Sequence, residues 1–137
     1  MARLRIVAFA ARLPRWALEA RNEYLARMPK GFEVDCVHLK SGSLERIRAR
    51  FGRGTRVVAL DERGKDLTTG QFAKLLLEPT AFVLGGADGL DPAIRENAFL
   101  VMRLSALTLP HALAQVLLTE QLYRAATLLI GHPYHRK

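Results

Sequence analysis

Leu104-Ser105-Ala106-Leu107-Thr108-Leu109-Pro110 runs straight into a long apolar stretch that closes with Gly131-His132-Pro133-Tyr134-His135-Arg136-Lys137. Pro110 is suited to open a helix, because a first-turn proline lacks only an N–H that has no intrahelical partner anyway. The spacing predicts that helix over residues 110–130. Upstream, a hydrophobic run ends in Gly85-Gly86-Ala87-Asp88-Gly89-Leu90. Two loops punctuated by glycine and proline therefore each follow a buried strand. Such loops point to a ligand site built mainly from backbone.

The same alternation continues outward. Residues 3–10 read as a strand carrying Leu4, Ile6, Val7 and Phe9. Pro14 opens a helix whose Trp16, Ala20, Tyr24 and Met28 recur every four residues as one apolar stripe. Residues 32–39 alternate, with Phe32, Val34, Cys36 and His38 on one face of a half-buried strand. Ser41 or Ser43 caps a basic helix reaching Phe51. Residues 55–60 form a β-branched strand, and 61–65 a charged loop. Thr68 or Thr69 starts a helix to Leu77, and residues 81–84 form a buried strand. Asp91-Pro92 opens a helix to Ala98, and residues 100–104 form a short strand. This order predicts an α/β three-layer fold around a mostly parallel sheet. No repeat or low-complexity linker interrupts it, so residues 1–137 read as one domain.

Half the residues are hydrophobic, enough for a substantial core, and the net charge is +8. The excess is lopsided. Residues 1–56 hold 13 Lys/Arg against 5 Asp/Glu, whereas residues 57–137 hold 8 of each. Arg46, Arg48, Arg50, Arg53 and Arg56 are the densest cluster. Arginine binds phosphate bidentately, so this segment favours a polyanion; the plainer reading is a solvated helix face. The single cysteine, Cys36, excludes an intrachain disulfide and reads as a small buried hydrophobe. No apolar run reaches a membrane span, and the charged start does not resemble a signal peptide, so a cytoplasmic protein is expected.

Several chemistries are unsupported. There is no Gly-Lys-Ser/Thr of a phosphate loop and no Gly-x-Ser-x-Gly elbow. The Gly85–Gly89 loop follows the fourth predicted strand, not the first as in a dinucleotide fingerprint. His111, His132, His135 and Cys36 share no metal-ligand spacing, so no metal is expected. Ser105 reads as a hydroxyl that satisfies loop backbone. In open α/β sheets ligands sit beyond the carboxyl ends of strands, which would bring Leu60, Gly86 and the 104–109 loop together. The last helix has apolar residues around well over half its circumference. A helix packed only on its own sheet needs a stripe of about 100°. The surplus predicts a second partner, most simply another copy of the chain. Glu120 and Arg124 fit an intrahelical pair or interface polar groups.

Three segments carry a family resemblance. Leu104-Ser105-Ala106-Leu107-Thr108-Leu109-Pro110-His111, Glu120-Gln121-Leu122-Tyr123-Arg124-Ala125 and His132-Pro133-Tyr134-His135-Arg136 resemble the RlmH family, ribosomal RNA methyltransferases of the SPOUT superfamily. Leu84-Gly85-Gly86, Gly89-Leu90, Leu60-Asp61, Gly64-Lys65 and Pro14-x-Trp16 extend the likeness over essentially the whole chain. It departs at Gly85-Gly86-Ala87-Asp88-Gly89, where Gly-Gly-Pro-Glu-Gly is usual, and before Thr55, where the chain looks short. The resemblance implies an α/β fold whose C-terminal segment is threaded as a trefoil knot. It also implies a homodimer with S-adenosylmethionine in the knot, at the interface. The implied cofactor-binding residues are Leu60, Gly85, Gly86, Leu104, Ser105, Ala106, Leu107, Thr108 and Leu109. The implied substrate is a pseudouridine in a 23S ribosomal RNA stem-loop, methylated at N3, in the large subunit or the assembled ribosome. Tyr134, His135 and Arg136 are the candidate catalytic residues: His135 to take the N3 proton, the other two to position base and phosphate. The tail reads alternatively as a strap that stabilises a dimer. A ribosome-binding factor without catalysis and a transfer RNA methyltransferase are the competing functions.

Overall fold

The computed structural model describes residues 3–9, 12–40, 43–86 and 89–135. Five strands form one sheet: β1 (Leu4–Ala8), β2 (Val34–His38), β3 (Arg56–Lys65), β4 (Thr80–Leu84) and β5 (Leu100–Met102). Every named pairing is parallel, in the order β2-β1-β4-β3-β5. The helices are α1 (Arg15–Arg27), α2 (Leu44–Phe51), α3 (Thr69–Lys74), α4 (Pro92–Asn97) and α5 (His111–Ile130).

The alternation of strand side chains separates two cores. Leu4, Ile6, Val58, Phe82, Leu84 and Met102 face α3 and α5. Val7, Val57, Ala59, Ala81 and Val83 face α2 and α4, meeting Leu44, Ile47 and Ile94. Strands buried on both faces read as continuous apolar runs, as β4 does with all five residues buried. Caps fix the helix starts. Ser43 Oγ accepts from Arg46 N, and Thr68 forms a reciprocal capping box with Gln71. Asp91 accepts from Ala93 N, with Pro92 in the first turn.

Three expectations need correction. Residues 61–65 are not a loop but the continuation of β3. The backbone of Lys65 accepts from Arg103 N, and a side chain at Gly64 would strike the backbone of Met102. Charge hid this strand, because its outer half is exposed and need not be apolar. On α1, the buried residues are Ala17 and Arg21, one position from the expected stripe, and Trp16 is 55% exposed. That helix lies along α5, where Ala17 permits close approach and Arg21 reaches Gln115. The strand predicted over 100–104 stops at Met102. Part of the apolar surplus of α5 is thereby covered by α1, while Leu129 and Ile130 remain exposed.

Candidate active site

The strand order reverses around β4, and the carboxyl ends of β3, β4 and β5 open there into a cleft of about 520 Å³. Its walls come from Leu60–Glu62, Leu84–Gly86, Gly89–Leu90, Arg103–Ser105 and the 107–111 segment, with Ala114 behind. Loop geometry makes these walls mostly backbone. Gly89 N donates to Gly86 O at 3.0 Å, closing a turn after β4. A Cβ on Gly85 would meet the backbone of Gly89 and Leu90, so only glycine permits this turn to fold so close to its own strand. Leu107 N donates to Ser105 Oγ at 2.9 Å, the loop-satisfying role expected of that serine. Arg103 forks onto Asp66, with Nε and Nη2 at 2.6 and 2.8 Å from the two carboxylate oxygens. That fork pulls the Asp66 carboxyl below its usual range and pins the start of the 104–109 loop.

The cleft gathers Leu60, Gly85, Gly86, Leu104, Ser105, Leu107, Thr108 and Leu109. Ala106 is exposed and is not among its lining. Sequence reading passed over Asp61, Glu62, Arg103, Pro110 and His111, which also line it. Their position at strand ends and at the start of α5 was the available signal.

The tail lies elsewhere in the same protomer. After Gly131, Pro133–His135 form a 3-10 turn. The Tyr134 hydroxyl donates to Glu120 Oε2 at 2.8 Å, and its ring meets Tyr123 edge-on at 4.6 Å. Arg124 holds the same Glu120 at 2.9 Å and sits 5.1 Å above the Tyr134 ring. Glu120 and Arg124 thus pair within the helix and also anchor the tail. Burial first, then Glu120, pushes the Tyr134 phenol well above its ordinary value. It therefore stays protonated near neutral pH. His135 is described by its backbone, and Arg136 lies outside the described residues. Tyr134 is not in the lining of the cleft.

The arginine cluster divides. Arg50 and Arg53 are exposed at the end of α2 and just beyond it, and Arg48 lies 3.8 Å from Glu45. Arg56 is committed elsewhere: Nη2 donates to Leu75 O at 3.2 Å and the guanidinium covers Phe99.

The family model described as "Predicted SPOUT methyltransferase" matches residues 2–135. The chain belongs to this family. The ribosomal RNA large subunit methyltransferase H of Polynucleobacter asymbioticus is 46% identical over 146 residues, covering 98% of this chain and 99% of that one. The enzyme of the same name from Ralstonia nicotianae is 46% identical over 153 residues, covering 97% and 98%. Both alignments are longer than the 137-residue chain, so these relatives carry residues that it lacks. Among solved structures, a "probable methyltransferase" from Bordetella pertussis Tohama I superposes with a TM-score of 0.61 at 19% identity, covering 91% of this chain and 95% of that one. The SpoU methyltransferase AviRb from Streptomyces viridochromogenes, in complex with AdoMet, gives 0.57 at 17%, covering 93% and 60%. At such identities these structures speak for the fold, an α/β SPOUT fold.

Proposed function

We propose that this chain is an S-adenosylmethionine-dependent methyltransferase acting on N3 of a pseudouridine in 23S ribosomal RNA of the large subunit. The observation that carries the reading is the backbone-lined cleft beside β3, β4 and β5, in a chain matched over nearly its whole length by relatives named ribosomal RNA large subunit methyltransferase H. The cleft fits the cofactor: its volume lies in the range of small-molecule sites, about 300–1,000 Å³. Leu60, Gly85, Gly86, Leu104, Ser105, Leu107, Thr108 and Leu109 would hold it. When bound, the cofactor supplies a methyl group already activated by its sulfonium.

The protein then has to align N3 with that methyl group and receive one proton. His135 would take the proton released at N3 when the methyl group is transferred there. Tyr134, its one hydroxyl hydrogen given to Glu120, positions the base, and Arg136 grips phosphate. In one protomer Tyr134 is anchored on α5, away from the cleft lining. We therefore place the working tail at the cofactor cleft of a second copy, in a homodimer. Residues 1–137 act as one domain, with the segment entering α5 threaded as a trefoil knot, in the cytoplasm. No helix among the described residues is long and apolar enough to cross a membrane.

The test is methyl transfer from labelled cofactor to large subunits or whole ribosomes lacking the modification, followed by mass mapping of the 23S RNA. One methyl on one pseudouridine is expected. Cofactor binding without transfer to either particle would overturn the substrate. Absence of cofactor binding would leave the ribosome-binding factor, and transfer to transfer RNA would favour the third function.

A further inference from the structure

Beneath the cleft lies a polar cluster in which a cation is buried without a carboxylate. Arg21 is only 7% exposed, and its Nε has no partner. Its Nη1 donates to His38 Nε2 at 3.2 Å and to Gln115 Oε1 at 3.5 Å. No ion pair among the described residues includes it. An unpaired buried charge costs several kcal/mol of desolvation, about what the handful of neutral hydrogen bonds around it can offset. Such an arrangement calls for a reason.

A guanidinium can only donate. The atom of Gln115 that faces it must be the carbonyl oxygen, which turns the amide nitrogen toward His111. Gln115, fully buried, has Nε2 at 2.8 Å from His111 Nε2. An amide nitrogen can only donate, so His111 Nε2 accepts and Nδ1 carries the ring hydrogen. His111 lines the cleft at the first residue of α5. Pro110 caps that helix without a side-chain bond. The acidic lining residues, Asp61 and Glu62, belong to a different wall, midway along β3 just past Leu60.

We propose that Arg21 and Gln115 are positioning residues that lock His111 as an Nδ1–H donor, and that this donor binds the carboxylate of the cofactor's amino-acid moiety. The inference rests on the reading of the cleft as an adenosylmethionine site. Arg21 sets the direction, Gln115 passes it on, and His111 displays it. The carboxylate then lies against donors, and the positively charged amine and sulfonium lie nearer the acids.

Gln115→Glu tests the chain of donors at constant shape, because a carboxylate can only accept. It pairs with Arg21 and draws the His111 hydrogen to Nε2. Long-range proton–nitrogen correlation spectra report the tautomer without any ligand: Nδ1–H in the parent, Nε2–H in Gln115→Glu. In Arg21→Met the amide is free to turn, and both tautomers are expected in a protein no less stable. Calorimetry supplies the second arm, with S-adenosylmethionine and with 5′-methylthioadenosine, which lacks the amino-acid part. Gln115→Glu should weaken adenosylmethionine by about 10- to 100-fold, the loss of one charge-assisted bond, and leave methylthioadenosine nearly unchanged. An unaltered tautomer, or equal losses for both ligands, overturns the proposal. If the parent protein binds neither ligand, the cofactor reading itself fails, while the spectra still decide the relay.

Discussion

At the residue scale, the cleft depends on a few atoms that allow no substitution. Gly85 is one, because any Cβ there meets backbone rather than a yielding side chain. Gly85→Ala is expected to displace the turn between Gly86 and Gly89 and to lower adenosylmethionine affinity at least about tenfold, the size of one missing hydrogen bond to a charged ligand. The far-ultraviolet circular dichroism should be nearly unchanged, because the turn itself contributes little helix or strand. Calorimetry checks this, and parental affinity would sink it. His38 carries a pH dependence. Burial, then the adjacent Arg21 and His111, depress its value below the ordinary histidine value of about 6.5. A depressed folded-state value means that the unfolded chain takes the proton more readily. The stability that neutral His38 contributes, with its hydrogen bond from Arg21, is therefore complete above that ordinary value and is lost as pH falls from it through the depressed folded-state value. Urea titrations of the parent and of His38→Gln should diverge between neutral pH and pH 5, the variant losing less on acidification. Parallel curves would show that His38 contributes nothing to the acid limb. Cys36, pushed up by burial, stays a thiol at neutral pH and packs as the small hydrophobe that its neighbours in the sequence implied.

At the element scale, α2 offers its positive charge on a short scaffold. Leu44 and Ile47 anchor it to the sheet, and the arginines occupy the outer face. Reversing Arg50 and Arg53 to Glu should weaken ribosomal RNA binding to a similar degree across sequences. It should also reduce the slope of log affinity against log salt by about one for each phosphate that is no longer neutralised. Filter binding across a salt series reads this, and cofactor affinity should hardly move. A slope equal to that of the parent would reduce α2 to a solvated face. The run of arginines in the sequence made Arg56 look like part of this surface. Its strand turns it instead toward Leu75 and Phe99, because neighbours in sequence share a face only within one element.

At the scale of the whole molecule, the cleft and Tyr134 are separate in one protomer, yet the proposed reaction needs both. Two inactive variants make the test: Gly85→Ala, with a damaged cleft, and a chain lacking residues 134–137. Mixed and allowed to exchange subunits, they should recover activity, because one subunit then offers an intact cleft and its partner an intact tail. Random pairing leaves half of the dimers heterodimers, each with one working site, so about a quarter of the parental activity is the ceiling. No recovery after demonstrated exchange would place the tail in its own subunit's site. Trp16 and Leu18 on α1, and Leu129 and Ile130 at the end of α5, are among the exposed apolar residues available for such an interface. The sequence alone pointed to α5 for this role, and it missed that α1 covers part of that helix.

The order of strands and helices, their caps and the glycine and proline loops were legible in the sequence, because each depends on neighbours within a few residues. Thr68 with Gln71, and Asp91 with Pro92, carry their geometry locally. The convergence of Leu60 with the 104–109 loop was legible as well, since parallel strands deliver their carboxyl ends to one edge. What tertiary structure alone decided involves partners far apart in the chain. Residues 61–65 became a strand because Met102 and Arg103 lie beside them. Arg21 became a buried residue because Gln115, ninety-four positions away, accepts from it. A charged or polar residue reads as surface until a distant partner removes it from water, and no local pattern records that partner.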